Sequence, residues 1–307
     1  MMASINAFQV MQVPSRSISL PARLLHPTAL KIEEEFNKLK TCDSSYSSVT
    51  TTPSRSFKSI QTGLIRLSEL YNCVEELVHS PLTQQALNNQ QHVELVEEAL
   101  DRSIGLLDAC SNARELILSM KEQVQDLQSA LRRRGGDYSI IEANIQAYIN
   151  FRKKSKKDIA KCLRTLQRIE ITTQNLHSTK ADHQHLFFVI NVLKESSAIT
   201  ISIFKSLLFF LSMPVSKTKS SGWSILISKL IPAEKGHKVF NEVGCVDMAL
   251  YSLHEQIRRN NGKVDVQMAL KKLETVDGSI KDLERGLDFL FRGLIQNRVS
   301  LLNALTP

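Results

Sequence analysis

His177, His183 and His185 come closest to a metal-binding pattern in this sequence. Imidazoles that share an ion must share a face, and helix positions two apart point to different faces. They therefore read as solvent-facing or capping histidines. Acid–base catalysis needs a carboxylate tuned by apolar surroundings. Glu33, Glu34, Glu35, Glu75 and Glu76 instead fall where a helix turns its charges to solvent. Cys42, Cys73, Cys110, Cys162 and Cys245 are widely spaced and odd in number, with no C-x-x-C pair. That suits reduced thiols of cytosol or nucleus, and gives neither a disulfide framework nor a zinc signature. Cys73 and Cys110 occupy apolar-stripe positions, which predicts packing rather than nucleophilic work. Gly135-Gly136 lacks the lysine and hydroxyl of a phosphate-cradling loop, and no G-x-S-x-G elbow occurs. The residues predict no catalytic group, cofactor or metal site, and a protein that is not an enzyme.

Two patterns rise above this background. Arg152, Lys153, Lys154, Lys156 and Lys157 place five cations in six residues, with Lys161 and Arg164 beyond. Near an anionic membrane each such cation contributes about 1 kcal/mol. Nucleic acid phosphates would attract the same run, but it has no aromatic interleaving beyond Phe151 and no base-reading element. The bland alternative is a solvated helix face. The second pattern is Arg16-Ser17-Ile18-Ser19-Leu20-Pro21. A phosphate on Ser19 would sit three residues after Arg16, just before Pro21. This resembles ligands of the fourteen-three-three phosphoserine-binding proteins, and makes a phosphoserine-binding adaptor a candidate partner.

Long helices must position these groups. Phe57, Ile60, Leu64, Leu67, Tyr71, Val74 and Val78 alternate steps of three and four, the seam of a heptad. The spacing returns at Ala113, Ile117, Met120, Val124, Leu127 and Leu131, and again at Leu273, Val276, Ile280, Leu283, Leu287, Leu290 and Leu294. Three such stripes need partners, and an antiparallel helical bundle supplies them. Only 11 glycines and 8 prolines in 307 residues fit long helices. The net charge of +8 permits anionic partners without choosing among them.

Along the chain, residues 1–26 read as a flexible arm. They lack the continuous apolar run of a secretory signal, while early arginines and serines give a faint transit-peptide look that Pro14, Pro21 and Pro27 weaken by breaking any amphipathic helix. Residues 27–307 read as one domain. A first helix is expected from Pro27 to about Leu39, then a Ser/Thr-rich loop over 41–54. Further helices are expected at about 55–80, 89–134, 138–177 and 181–211, with a short turn at Leu82–Leu87 and a kink signal at Ser111-Asn112. A loop at 212–222 precedes short helices near 223–231 and 239–259, and a last helix closes the chain. Between Tyr148 and Ile159 the fourth stripe lapses into the basic run. The segment Leu186–Ser212 is the most apolar, but Lys194, Glu195 and Lys205 interrupt it, so it reads as a buried bundle helix.

The order of several blocks adds a resemblance. Arg16–Arg23, His26-Pro27, Glu33-Glu34-Glu35 and Cys73-Val74-Glu75-Glu76-Leu77 belong to it. So do Pro81-Leu82-Thr83-Gln84-Gln85, Leu106-Leu107-Asp108-Ala109-Cys110, Leu131-Arg132-Arg133-Arg134, Leu283-Glu284-Arg285-Gly286-Leu287 and Arg298–Asn303. Together they resemble the plant BYPASS-like proteins, catalogued as a domain of unknown function. The resemblance spans nearly the whole chain and is weakest over 212–240. It implies a role in root and shoot development through restraint of a mobile root-derived signal, and it carries over no catalytic residue. The arm then belongs to the family pattern rather than to a transit peptide. The combined expectation is an elongated all-α bundle in the cytoplasm that regulates or scaffolds through its helices. The basic run would be its contact with anionic membrane. An enzyme of signal metabolism is the remaining rival.

Overall fold

A computed structural model describes residues 27–44, 57–87, 93–133, 138–174, 184–212, 241–259 and 266–305. Within them run α1 (Pro27–Ser44), α2 (Phe57–Val78), α3 (Pro81–Leu87), α4 (Val93–Arg132), α5 (Tyr138–Gln174), α6 (Gln184–Ser212), α7 (Glu242–Arg258) and α8 (Gln267–Leu305). There is no strand among the described residues, and the all-α bundle is the fold. At 1.5 Å per residue α4 is about 60 Å long, which makes the bundle elongated. The arm with Arg16, Ser19 and Pro21, the loop at 213–222, the expected helix at 223–231, His177 and His183 lie outside the described residues.

The three stripes are the core. Every member of the α4 and α8 seams is buried, as is every member of the α2 seam except half-buried Phe57. Burying one such side chain contributes about 1.5–3 kcal/mol before entropy is counted.

Polar pairs along the seams fix helix direction. Arg298 Nη1 donates to Leu100 O at 2.6 Å, Arg114 Nε to Asp288 at 2.8 Å, Lys121 Nζ to Glu284 at 2.6 Å and Arg132 Nη2 to Glu274 at 3.0 Å. As α4 numbers rise, α8 numbers fall, so this pair is antiparallel. The ion pairs are partly exposed and contribute at most about 1 kcal/mol each; their effect is on register. Packed neighbours in the bundle also run the other way. Gly286 lies against Leu64 and Gly293 against Tyr71, seven residues apart on both helices, so α2 and α8 are parallel.

Helix α6 explains its own composition. It packs against α2, α3, α4 and α5, so few of its faces are left to solvent. By length and composition His185–Ser212 could cross a membrane, yet 56% of its most apolar window is buried inside the bundle. Phe210 is buried at the α6 C-terminus, its ring 6.4 Å from that of Phe57.

Several expected boundaries moved. α1 continues to Ser44, through the first residues of the Ser/Thr-rich stretch. Leu82–Leu87 is part of a helix, α3, whose first turn is capped by Ser80 Oγ accepting from Thr83 N at 3.3 Å. Ser111-Asn112 does not break α4, because Asn112 Nδ2 turns back to Asp108 O at 2.7 Å within the helix.

Candidate functional site

The α5 stripe does not lapse at the basic run. Ile141, Ile145, Tyr148, Arg152, Ser155, Ile159, Cys162 and Leu166 are all buried, in steps of four and three throughout. Arg152 and Ser155 are simply the polar members of the same seam. An arginine at such a position must find a carboxylate or leave a charge uncompensated in the core.

That carboxylate is Asp247 on α7. Arg152 Nε reaches both its oxygens, at 3.1 and 3.2 Å, and Nη2 reaches Oδ2 at 2.9 Å. Tyr148, one turn earlier, donates its hydroxyl to Asp247 Oδ1 at 2.7 Å. Arg152 Nη1 donates to Leu211 O at 2.5 Å, capping the end of α6. Asn241 completes the cluster. Its Nδ2 donates to Phe210 O at 2.7 Å and its Oδ1 accepts from Gly244 N at 2.9 Å, capping the start of α7. One polar knot thus ties α5 to the C-terminus of α6 and the N-terminus of α7.

The electrostatics hold Arg152 charged and Tyr148 neutral. Burial works against the Arg152 charge, but Asp247 and Tyr148 outweigh it and its pKa is raised. Burial, then the Asp247 charge, pushes the Tyr148 phenol well above its usual range. Arg152 is therefore not part of an anionic-surface site, a correction to the five-cation expectation. Lys156 is half-buried, and burial, then Arg152, lowers its pKa.

The rest of the run faces out. Lys153, Lys154 and Lys157 are exposed, and Lys161 and Arg164 continue the row. Lys153, Lys157, Lys161 and Arg164 follow one another by four, four and three residues, one continuous ridge along α5. Asp158 is the exposed acid beside it.

The other residues with possible chemistry are accounted for by packing. His185 Nε2 lies 2.9 Å from Thr83 Oγ1 and docks α3 on α6. Glu33 and Glu34 are exposed, but Glu35 is buried, with Oε1 2.6 Å from Lys38 Nζ. Cys110 is fully buried beneath Leu287 O, whereas Cys73 lies half-buried at the edge of the core, off the stripe expected for it. Among the described residues no group of three histidines, cysteines or carboxylates could hold a metal. A shallow trough on the outer face of α1 is open to solvent.

Helix α8 carries a second apolar face. Ile295, Val299 and Leu302 are 40%, 41% and 42% exposed. Their spacing of four and three puts them on one stripe, about a third of a turn round from the buried seam. Across the α4–α8 seam the antiparallel register brings Ile104, itself 43% exposed, to the same level. Residue type alone marks this face poorly, because it lies beside a strong core stripe on the same helix.

A family model described as Protein BPS1 matches residues 63–304. No curated protein and no solved structure matches the chain.

Proposed function

The chain belongs to the Protein BPS1 family, the BYPASS-like proteins, and from that premise we propose that it is a regulatory or scaffolding protein of plant root and shoot development, acting without turnover through helix-mediated protein contacts. The observation that carries this reading is the second apolar stripe of α8. Ile295, Val299 and Leu302 form the i, i+4, i+7 pattern with which a helix engages a partner's groove or helix. Ile104 widens the face across the seam. A stripe so placed does not serve the core, whose own stripe runs on another side of α8. The experiment is proximity labelling in root cells with wild type and with Val299→Glu/Leu302→Glu. Soluble partners lost from the variant, with its helical circular dichroism intact, support the reading. An unchanged partner set removes it.

A second reading has its own support. The α5 ridge of Lys153, Lys157, Lys161 and Arg164 matches a peripheral contact with anionic membrane, with a cytoplasmic protein held at the surface. Flotation with vesicles of phosphatidylserine and phosphatidylcholine tests it. Binding that survives reversal of all four charges counts against the ridge.

A further inference from the structure

Toward the N-terminal end of α4 and the C-terminal end of α8 the bundle contains a small cavity with unspent donors. It measures about 20 Å³ and lies between α2, α4, α6 and α8, with Tyr71, Arg102, Ser103, Ser197 and Asn297 as its polar lining. That is room for one particle the size of a water molecule. Arg102 and Asn297 are each only 5% exposed. Arg102 Nε and Asn297 Nδ2 have no hydrogen-bond partner among the described residues. A buried N–H left unpaired is costly, so two of them on one cavity call for an acceptor.

The hydroxyls around the cavity are engaged elsewhere, and neither N–H reaches one of them. Ser103 Oγ donates to Leu100 O at 2.6 Å and already receives Arg298 Nη1 at 2.7 Å. Ser197 Oγ donates to Leu193 O at 2.8 Å. Tyr71 shares its hydroxyl bond with Thr200 at 3.0 Å.

The charge balance favours an anion. Arg102 has one carboxylate, Glu98, whose Oε1 is 2.7 Å from Nη1 on the far side of the guanidinium from Nε. Lys194 and Arg298 add two cations in the vicinity. Burial lowers the Lys194 pKa, and Arg102 lowers it further. Burial likewise lowers that of Arg102, with Glu98 opposing. Arg102, Lys194 and Arg298 thus stand about the cavity, with Glu98 as the carboxylate paired to Arg102.

We propose that this cavity binds one small monovalent anion of halide size, held by Arg102 Nε and Asn297 Nδ2. Chloride is the cellular anion of that size and charge. The ion would lock four helices together, since its two donors come from α4 and α8 and the rest of its cage is shared among α2, α4, α6 and α8. Larger oxyanions such as phosphate do not fit the volume.

The test uses the full chain. Thermal melting is compared in sodium chloride and sodium gluconate at equal ionic strength. A saturable rise of roughly 2–5 °C in chloride is expected for one site filled to about ten times its Kd. Asn297→Asp supplies a built-in carboxylate beside Arg102, and should melt as high in gluconate as in chloride. Crystals soaked in bromide should show anomalous density between Arg102 Nε and Asn297 Nδ2. The proposal is overturned by bromide-free density there, meaning a buried water only. It is equally overturned by a chloride effect that persists unchanged in Asn297→Asp.

Discussion

Arg152 closes on Asp247 with contacts to both carboxylate oxygens at 2.9 to 3.2 Å, and the two side chains are 6% and 1% exposed. The relationship links α5 to α7 across 95 residues of sequence. It also divides the basic run, since one cation of five belongs to the core. Removing Asp247 leaves a guanidinium buried without a counter-charge. Asp247→Ala should cost about 3–5 kcal/mol in urea unfolding, while Arg152→Met/Asp247→Leu should recover most of the loss. Tyr148→Phe removes one bond to a charged acceptor and should cost about 1.5–3 kcal/mol. An Asp247→Ala variant within 1 kcal/mol of wild type would overturn the knot's structural role.

Much of this architecture was legible because the periodicity is strong. The seams through Leu64, Ile117 and Leu283 are buried as their spacing requires. Arg152 shows where such reading stops. Its charge drew it into a surface motif, although Tyr148, Arg152, Ser155 and Ile159 keep heptad steps. Register was the available signal, and residue type overrode it. Asp247 was harder, because a single acid between Val246 and Leu250 shows its partner only when α5 is folded against α7. The Arg102–Asn297 cavity depends on which groups remain unpaired after packing, and no spacing encodes that. The parallel run of α2 on α8 was equally hidden, since a heptad stripe has no direction.

The exposed lysines should separate cleanly from Arg152. Lys153→Glu/Lys154→Glu/Lys157→Glu changes only solvent-facing groups, and each site should alter stability by no more than about 0.5 kcal/mol. Arg152→Glu puts a second carboxylate against Asp247 in the core and should prevent folding. Circular dichroism melts of the two proteins give the comparison. Equal damage from both would mean that the lysines are not a free surface.

The glycines of α8 should respond in opposite ways. A Cβ at Gly278 would meet nothing within 4 Å, so Gly278→Ala should gain the helix propensity difference of about 0.5–1 kcal/mol. At Gly286 the added atom would stand 3.1 Å from Leu64 Cβ, and at Gly293 3.2 Å from Tyr71 Cβ. Both neighbours are close to their own backbone and cannot swing away. Gly286→Val and Gly293→Val should cost about 1–3 kcal/mol through overpacking of the parallel α2–α8 seam. Urea midpoints for the three variants check this, and a stabilised Gly286→Val would overturn the close approach.

Alkaline titration should report on the core directly. Burial pushes the Cys110 thiol up to about 12 and the Tyr71 phenol up to about 12, the latter opposed by its bond to Thr200. In the unfolded chain these groups titrate near about 8.5 and 10. Above those values the folded state holds protons that the unfolded state has lost. Stability is therefore full below about pH 8.5 and falls as pH rises toward about 12, by about 1.4 kcal/mol per pH unit for each proton retained. Cys110 should account for much of the slope between about pH 8.5 and 10, and Tyr71 should add to it above about pH 10. Half-buried Cys73 and buried Cys162 are raised in the same direction, so Cys110→Ala should flatten the lower part of the curve without abolishing it. Tyr71→Phe should act only on the upper part. Urea midpoints from pH 7.5 to 11 give the profile. A wild-type curve that stays level to pH 10, or a slope that Cys110→Ala leaves unchanged, would mean that the thiol at the α4–α8 seam is reached by water.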